Sequence, residues 1–177
     1  MAAALRGGLT STVVHVNDLE ACFGQPRGYS TVDAWEELEA AVGPLPSDYK
    51  EFVAAYGPGV VGGFLHVLHP ASAGHGMFEI MERMAPLYQE LVPGPIPHPV
   101  FPSEPGMVQW AITVEGDACF LVPRPGGGWR IGVWFRQWAQ WEEYEDSVPD
   151  WLLRQAGGTL VIDGLPLHVR GGFVPVD

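Results

Sequence analysis

The sequence predicts a single α+β domain, a mostly antiparallel sheet of about five to six strands flanked by about four helices. Three observations predict it. Amphipathic helical patterns dominate the first half, strand patterns of period two take over from Met107, and tight-turn dipeptides join those strands directly. The 177 residues suit one domain, and 47% hydrophobic residues can build a core. Glycine (23) and proline (17) stay below the ~25–30% of low-complexity chains, so a folded, loop-rich domain is expected. No repeat of solenoid length is present.

Residues 1–29 read as an N-terminal extension in which "STVVHV" is a possible edge strand. The main domain spans 30–158. Its first helix is "STVDAWEELEAAVG": Ser30 or Thr31 can cap it, Trp35, Leu38 and Val42 form one stripe, and Gly43-Pro44 stops it. The second is "LPSDYKEFVAAYG", with Ser47 as its expected cap. Tyr49, Phe52, Val53 and Tyr56 sit at i, i+3, i+4 and i+7 on its core face. "GFLHVLH" reads as a strand. A third helix covers "MFEIMERMAPLYQELV", where Pro86 would kink it or end it early. "PGPIPHPVFPSEPG" reads as an extended surface loop. "VQWAITVE", "ACFLVPR" and "WRIGVWFR" form a meander, turning at Gly116-Asp117 and at residues 125–128. Ser147 caps a last helix, "DWLLRQA", with Pro149 in its first turn. Residues 159–177 read as a hairpin turning at Asp163-Gly164 and packed on the same domain.

The stretch "YGPGVVGGFL" contains a literal G-x-G-x-x-G at Gly57, Gly59 and Gly62. A dinucleotide fingerprint needs a strand before its glycines and a helix after them. Here an amphipathic helix runs into Gly57 and a strand leaves from Gly63. A helix C-terminus presents carbonyls and repels phosphate. The glycines therefore read as a helix stop and a turn, and no cofactor is expected.

Twenty-one acids oppose nine bases, a formal net of −12, and Lys50 is the only lysine. That balance argues against nucleic acid and against an anionic membrane surface, and it suits a basic partner. No apolar run approaches the ~18–20 residues of a membrane span. The opening "MAAALRGG" is broken too early for a secretory signal, so a cytoplasmic protein is expected. Cys22 and Cys119 read as two buried thiols rather than a disulfide. His66, His69 and His75 lie close in sequence, but His66 and His69 would point to opposite faces of a strand, so no metal site is expected. No nucleophile elbow and no phosphate loop occurs, so no catalytic residue is assigned and a non-enzymatic role is expected.

The tryptophans crowd the C-terminal half. In "WRIGVWFR", Trp129, Ile131, Val133 and Phe135 alternate onto a core face, while Arg130, Trp134 and Arg136 take the other. Either that second face is an outward binding surface, or it is covered too and Trp134 is buried. The run "WEEYEDSVPDW" sets acids beside aromatics. A solvated loop before a helix explains it, and so does a surface for a basic protein. The candidate partner-binding residues are Trp134, Trp138, Trp141, Glu142, Glu143, Glu145 and Asp146, together with Asp117 at the meander's turn.

"AWEELEAAVGPLPSDYKEFVAAYGPG" resembles the opening of the SUKH superfamily, which includes the fungal Smi/Knr cell-wall regulators and many bacterial toxin-immunity proteins. Trp35, Gly43, Leu45, Pro46, Tyr49, Phe52, Tyr56 and Gly57 carry the match, with a single proline between Gly43 and Leu45. "GDACFLV", "GGGWRIGVW" and "SVPDWLLRQAGG" are similar to its Gly-Asp turn, Trp-bearing strand and closing helix, through Gly116, Asp117, Trp129, Trp151 and Leu152. The resemblance covers roughly 30–158. It implies a non-enzymatic protein-binding domain, an immunity protein that neutralises a basic toxin, often a nuclease. A housekeeping regulatory or scaffold protein without a toxin is the alternative it also implies. A small-molecule binder or hydrolase using the face around Trp134 is a third reading.

Overall fold

The computed structural model describes residues 16–29, 35–70, 76–166 and 172–176. Five helices form there: α1 (Val16–Phe23), α2 (Trp35–Val42), α3 (Ser47–Tyr56), α4 (Met77–Glu90) and α5 (Val148–Ala156). Seven strands join one sheet: β1 (Gly59–Val61), β2 (Leu65–Val67), β3 (Val108–Thr113), β4 (Ala118–Pro123), β5 (Trp129–Phe135), β6 (Gln140–Tyr144) and β7 (Phe173–Pro175). Their order is β6-β5-β4-β3-β2-β1-β7, and every pairing is antiparallel. The α+β class and the antiparallel sheet are as the sequence predicts, with one more helix and one more strand than the upper expectation.

Local chemistry accounts for most boundaries. Gly57 ends α3 with φ +74, its N–H bonded to the Val53 carbonyl. Pro46, not Ser47, occupies the N-cap of α3, and Ser47 is its first helical residue. Ser147 does cap α5, its Oγ accepting from the Asp150 N–H at 3.2 Å. Pro86 lies inside α4, which continues past it to Glu90. The G-x-G-x-x-G glycines divide as a helix stop at Gly57, a β1 residue at Gly59 and a β1–β2 turn at Gly62, so the helix does precede the strand. Gly59 sits where the β7 residue Phe173 comes close; a Cβ there would lie 2.4 Å from its ring. The possible strand at "STVVHV" lies outside the described residues except for Val16, which begins α1. So do Ser30 and Thr31.

Two cores follow from the two sheet faces. On the first, Trp110, Cys119, Leu121, Ile131, Val133 and Phe135 pack against Leu19, Tyr49, Phe52, Val53, Trp151 and Leu152 of α1, α3 and α5. A bulge in β3 between Gln109 and Ala111 accompanies the placing of Trp110 and Ala111 in this same core. Trp110 and Trp151 are both fully buried, 5.9 Å apart and nearly perpendicular. Each hides ~150–250 Å2, about 4–6 kcal/mol of apolar transfer energy as an upper bound. On the second face Ala118, Phe120, Val122 and Trp134 meet Tyr88 of α4 and Ile96, Val100 and Met107. The proline-dense segment is therefore no free surface loop: Ile96 and Val100 are buried core residues. Its prolines hide this in the sequence, because they break the periodicity that reveals a buried stripe.

Gly132 sits at the centre of β5 beneath Trp141, and a Cβ there would lie 2.3 Å from that ring and 2.8 Å from Val122. Gly132→Ala is expected to displace Trp141 and cost about 2 kcal/mol, as overpacked sites do. Urea denaturation measures this; a loss below about 0.5 kcal/mol would mean the ring shifts freely. Cys22 and Cys119 are both free thiols, the first half-buried and the second buried. Among the described residues no helix is long and apolar enough to cross a membrane.

Candidate partner-binding surface

The acidic and aromatic run after β5 is a strand rather than a loop. β6 pairs with β5 in an unbroken register, Ile131 opposite Tyr144 and Phe135 opposite Gln140. Side chains of a strand alternate between faces. Gln140, Glu142 and Tyr144 therefore share the first face with Ile131, Val133 and Phe135. Trp141 and Glu143 share the second with Gly132 and Trp134. Acids that are neighbours in sequence are thus parted by the sheet.

Two candidates fall inside the protein. Trp134 is 4% exposed and belongs to the second core, so that face is covered and Trp134 is not an outward anchor. Asp117 is 3% exposed. Its Oδ1 accepts from the Arg136 N–H at 2.9 Å and its Oδ2 from the Thr113 hydroxyl at 3.1 Å. It is a turn-closing residue.

Three more acids are paired with arginine. Glu143 accepts from Trp141 Nε1 at 2.9 Å, lies 3.0 Å from Arg130 Nε, and meets His98 of the proline segment at 2.5 Å. Partial burial pushes its carboxyl up, but the bonds from Trp141 and His98 and the Arg130 charge outweigh this and hold its pKa below the usual carboxylate value. Trp141 itself is half-buried against Phe120. Glu145 pairs with Arg124 at 2.7 Å and Asp146 with Arg154 at 2.5 Å.

These last two pairs border a cavity of about 690 Å3, lined also by Leu121, Trp129, Ile131 and Val148. Its size falls in the range of ligand pockets, and four carboxylates lie on it. Each is engaged locally: Glu145 and Asp146 by arginine, Asp150 by the Ser147 hydroxyl at 2.7 Å, and Asp48 by the Tyr49 N–H at 2.7 Å. They read as helix caps and ion pairs. Of the three histidines noted in sequence, His66 lies in β2 and His69 is buried beyond its end, while His75 falls outside the described residues. Among the described residues no group of three or more His, Cys, Asp or Glu is arranged to hold a metal ion.

What stays open to solvent is smaller and sharper. Trp138 is 53% exposed. Its ring stacks on Phe135, with centroids 5.6 Å apart, and lies over Gly164, where a Cβ would come within 2.5 Å of it. Gly164 has φ +85, so this turn suits glycine twice over. Trp138, Gln140, Glu142 and Asp163 line a small cavity of about 200 Å3. Glu142 accepts from Gln140 Nε2 at 2.7 Å and from the Tyr144 hydroxyl. Among the described residues it has no ion pair, unlike Glu143, Glu145 and Asp146. Asp163 and Gly164 are the site residues that sequence reading missed. Their Asp-Gly signal marks a turn, and nothing in it places that turn beside Trp138. No family model matches the chain, and no curated protein or solved structure matches it either.

Proposed function

We propose that this chain is a non-enzymatic, cytoplasmic protein-binding domain of the SUKH type, an immunity protein whose partner is a basic toxin domain. The patch of Trp138, Glu142 and Asp163 carries the reading. A half-exposed tryptophan held rigid by Phe135 and Gly164 stands beside carboxylates that form no ion pair among the described residues. A lysine or arginine side chain from a partner gains there from both the ring face and the charges. The cavity, about 200 Å3, is below the ~300 Å3 at which small-molecule pockets begin, so it fits one side chain. The formal charge of −12 steers a basic surface towards it.

Co-expression with candidate basic toxins from neighbouring genes is expected to find one whose growth arrest this chain rescues. In a titration with that toxin, Glu142→Lys with Asp163→Lys is expected to raise Kd at least tenfold. Asp163 is exposed, but Glu142 is half-buried and accepts from the Tyr144 hydroxyl, so the double variant is expected to cost about 1 kcal/mol of stability, which denaturant titration separates from the loss of affinity. Reversal at Glu143, Glu145 or Asp146 is a poorer test, because each is paired with an arginine that would be stranded. Unchanged affinity in the double variant, or no rescue, overturns the proposal.

A further inference from the structure

The two edges of the sheet are unequal. β7 has three residues and ends in Pro175, which lacks an N–H. Short length and proline are two of the ways in which natural sheets blunt an edge. β6, at the other edge, has five residues, no proline and no bulge. Among the described residues β5 is its only strand partner, and no turn or loop backbone bonds to it. Its protection is charge, Glu142 on one face and Glu143 on the other.

That protection is selective. A second copy pairing edge to edge would bring Glu142 and Glu143 against the same acids, which repel across a ladder. A basic segment meets the opposite condition. On the first face it would pass Glu142, Tyr144 and Trp138, where the described residues place no cation. On the second it would pass Trp141 and Glu143, where Arg130 and His98 already supply charge. The two faces therefore ask for different side chains, basic on the first and neutral on the second.

We infer that β6 is a docking edge: an extended segment of the basic partner, with Lys or Arg at every second position, adds to it as an eighth strand. Main-chain hydrogen bonds along the edge supply affinity, and the acidic first face sets which segments fit. This rests on the proposed reading of the chain as a binder of a basic protein, and it adds the mode of recognition.

A capped peptide of four Lys-Thr repeats tests it against one of four Lys-Pro repeats. The two carry equal charge, but proline fixes φ and removes every second N–H. The Lys-Thr peptide is expected to bind at least tenfold more tightly and to slow hydrogen exchange within Gln140–Tyr144. Glu142→Lys should remove both effects. Equal binding of the two peptides, or protection appearing elsewhere on the sheet, overturns strand addition while leaving the acidic patch as a surface for basic partners. Binding by neither peptide overturns this inference and that reading together.

Discussion

Replacing Asp117 by alanine is expected to destabilise the protein by about 3 kcal/mol, the sum of two charge-assisted hydrogen bonds of ~1.5 kcal/mol or more each. The carboxylate joins β3 to the end of β5: one oxygen takes the Thr113 hydroxyl, the other the Arg136 N–H. Its own N–H returns to Thr113 Oγ at 2.9 Å, and Gly116 turns the chain with φ +88. Alanine keeps the backbone bonds of this turn and loses both side-chain bonds. An asparagine side chain in its place could keep one acceptor, so Asp117→Asn is expected to cost about 1 kcal/mol. Thr113→Val should also cost about 1 kcal/mol, and the Thr113→Val, Asp117→Ala pair should cost more than Asp117→Ala alone but less than the sum of the two, because they share the hydroxyl–carboxylate bond while Thr113 Oγ alone accepts the residue-117 N–H. Denaturant titration gives all four values. A loss below about 1 kcal/mol for Asp117→Ala would show that the turn holds without the carboxylate. Asp117 thus explains why a Gly-Asp turn sits between two buried strands, and the reason lies in folding rather than in partner contact.

The elements legible in the sequence are those with a strong one-sided stripe or an unbroken apolar run. α3 shows four apolar residues at helical spacing, all buried, and β4 is buried almost throughout. α1 is hard to see because, among its described side chains, Leu19 and Phe23 are the only buried apolar positions. β6 is hard to see because an edge strand needs no apolar alternation: none of its five residues is fully buried. β7 is too short to show a period. The site is obscure for a different reason. Period two is plain in β5 but has no apolar marker in the acidic run, so Glu142 and Glu143 group together in sequence although the sheet separates them. The ambiguity over Trp134 is real, since only tertiary structure says that the proline segment covers its face. Asp163 reaches Trp138 across 25 positions of chain, a pairing that local pattern does not encode.

Acid should weaken this fold in two separable steps, and His69 sets the first. It is fully buried, with Tyr29 and Trp35 edge-on at 4.8 and 5.9 Å. Burial penalises the charged ring and pushes its pKa from 6.5 down to about 4. Between those values the unfolded chain binds a proton that the folded chain refuses. Stability is therefore full above pH ~6.5 and is lost as pH falls towards ~4, by about 3 kcal/mol in all at ~1.4 kcal/mol per unit. The second step belongs to Glu39 and Glu143. Despite partial burial, Lys50 and the Leu45 N–H hold Glu39 below its usual value, as Trp141, His98 and Arg130 do for Glu143. Their contribution is present above pH ~4.5 and falls away below it. The window from ~6.5 to ~4.5 separates His69 from these two carboxylates, and the variant's slope separates it from the other histidines. Urea midpoints taken across it are expected to fall steeply in the native protein and to flatten in His69→Leu, whatever that variant's absolute stability. Equal slopes in the two proteins would mean that the buried ring accepts its proton in the folded state.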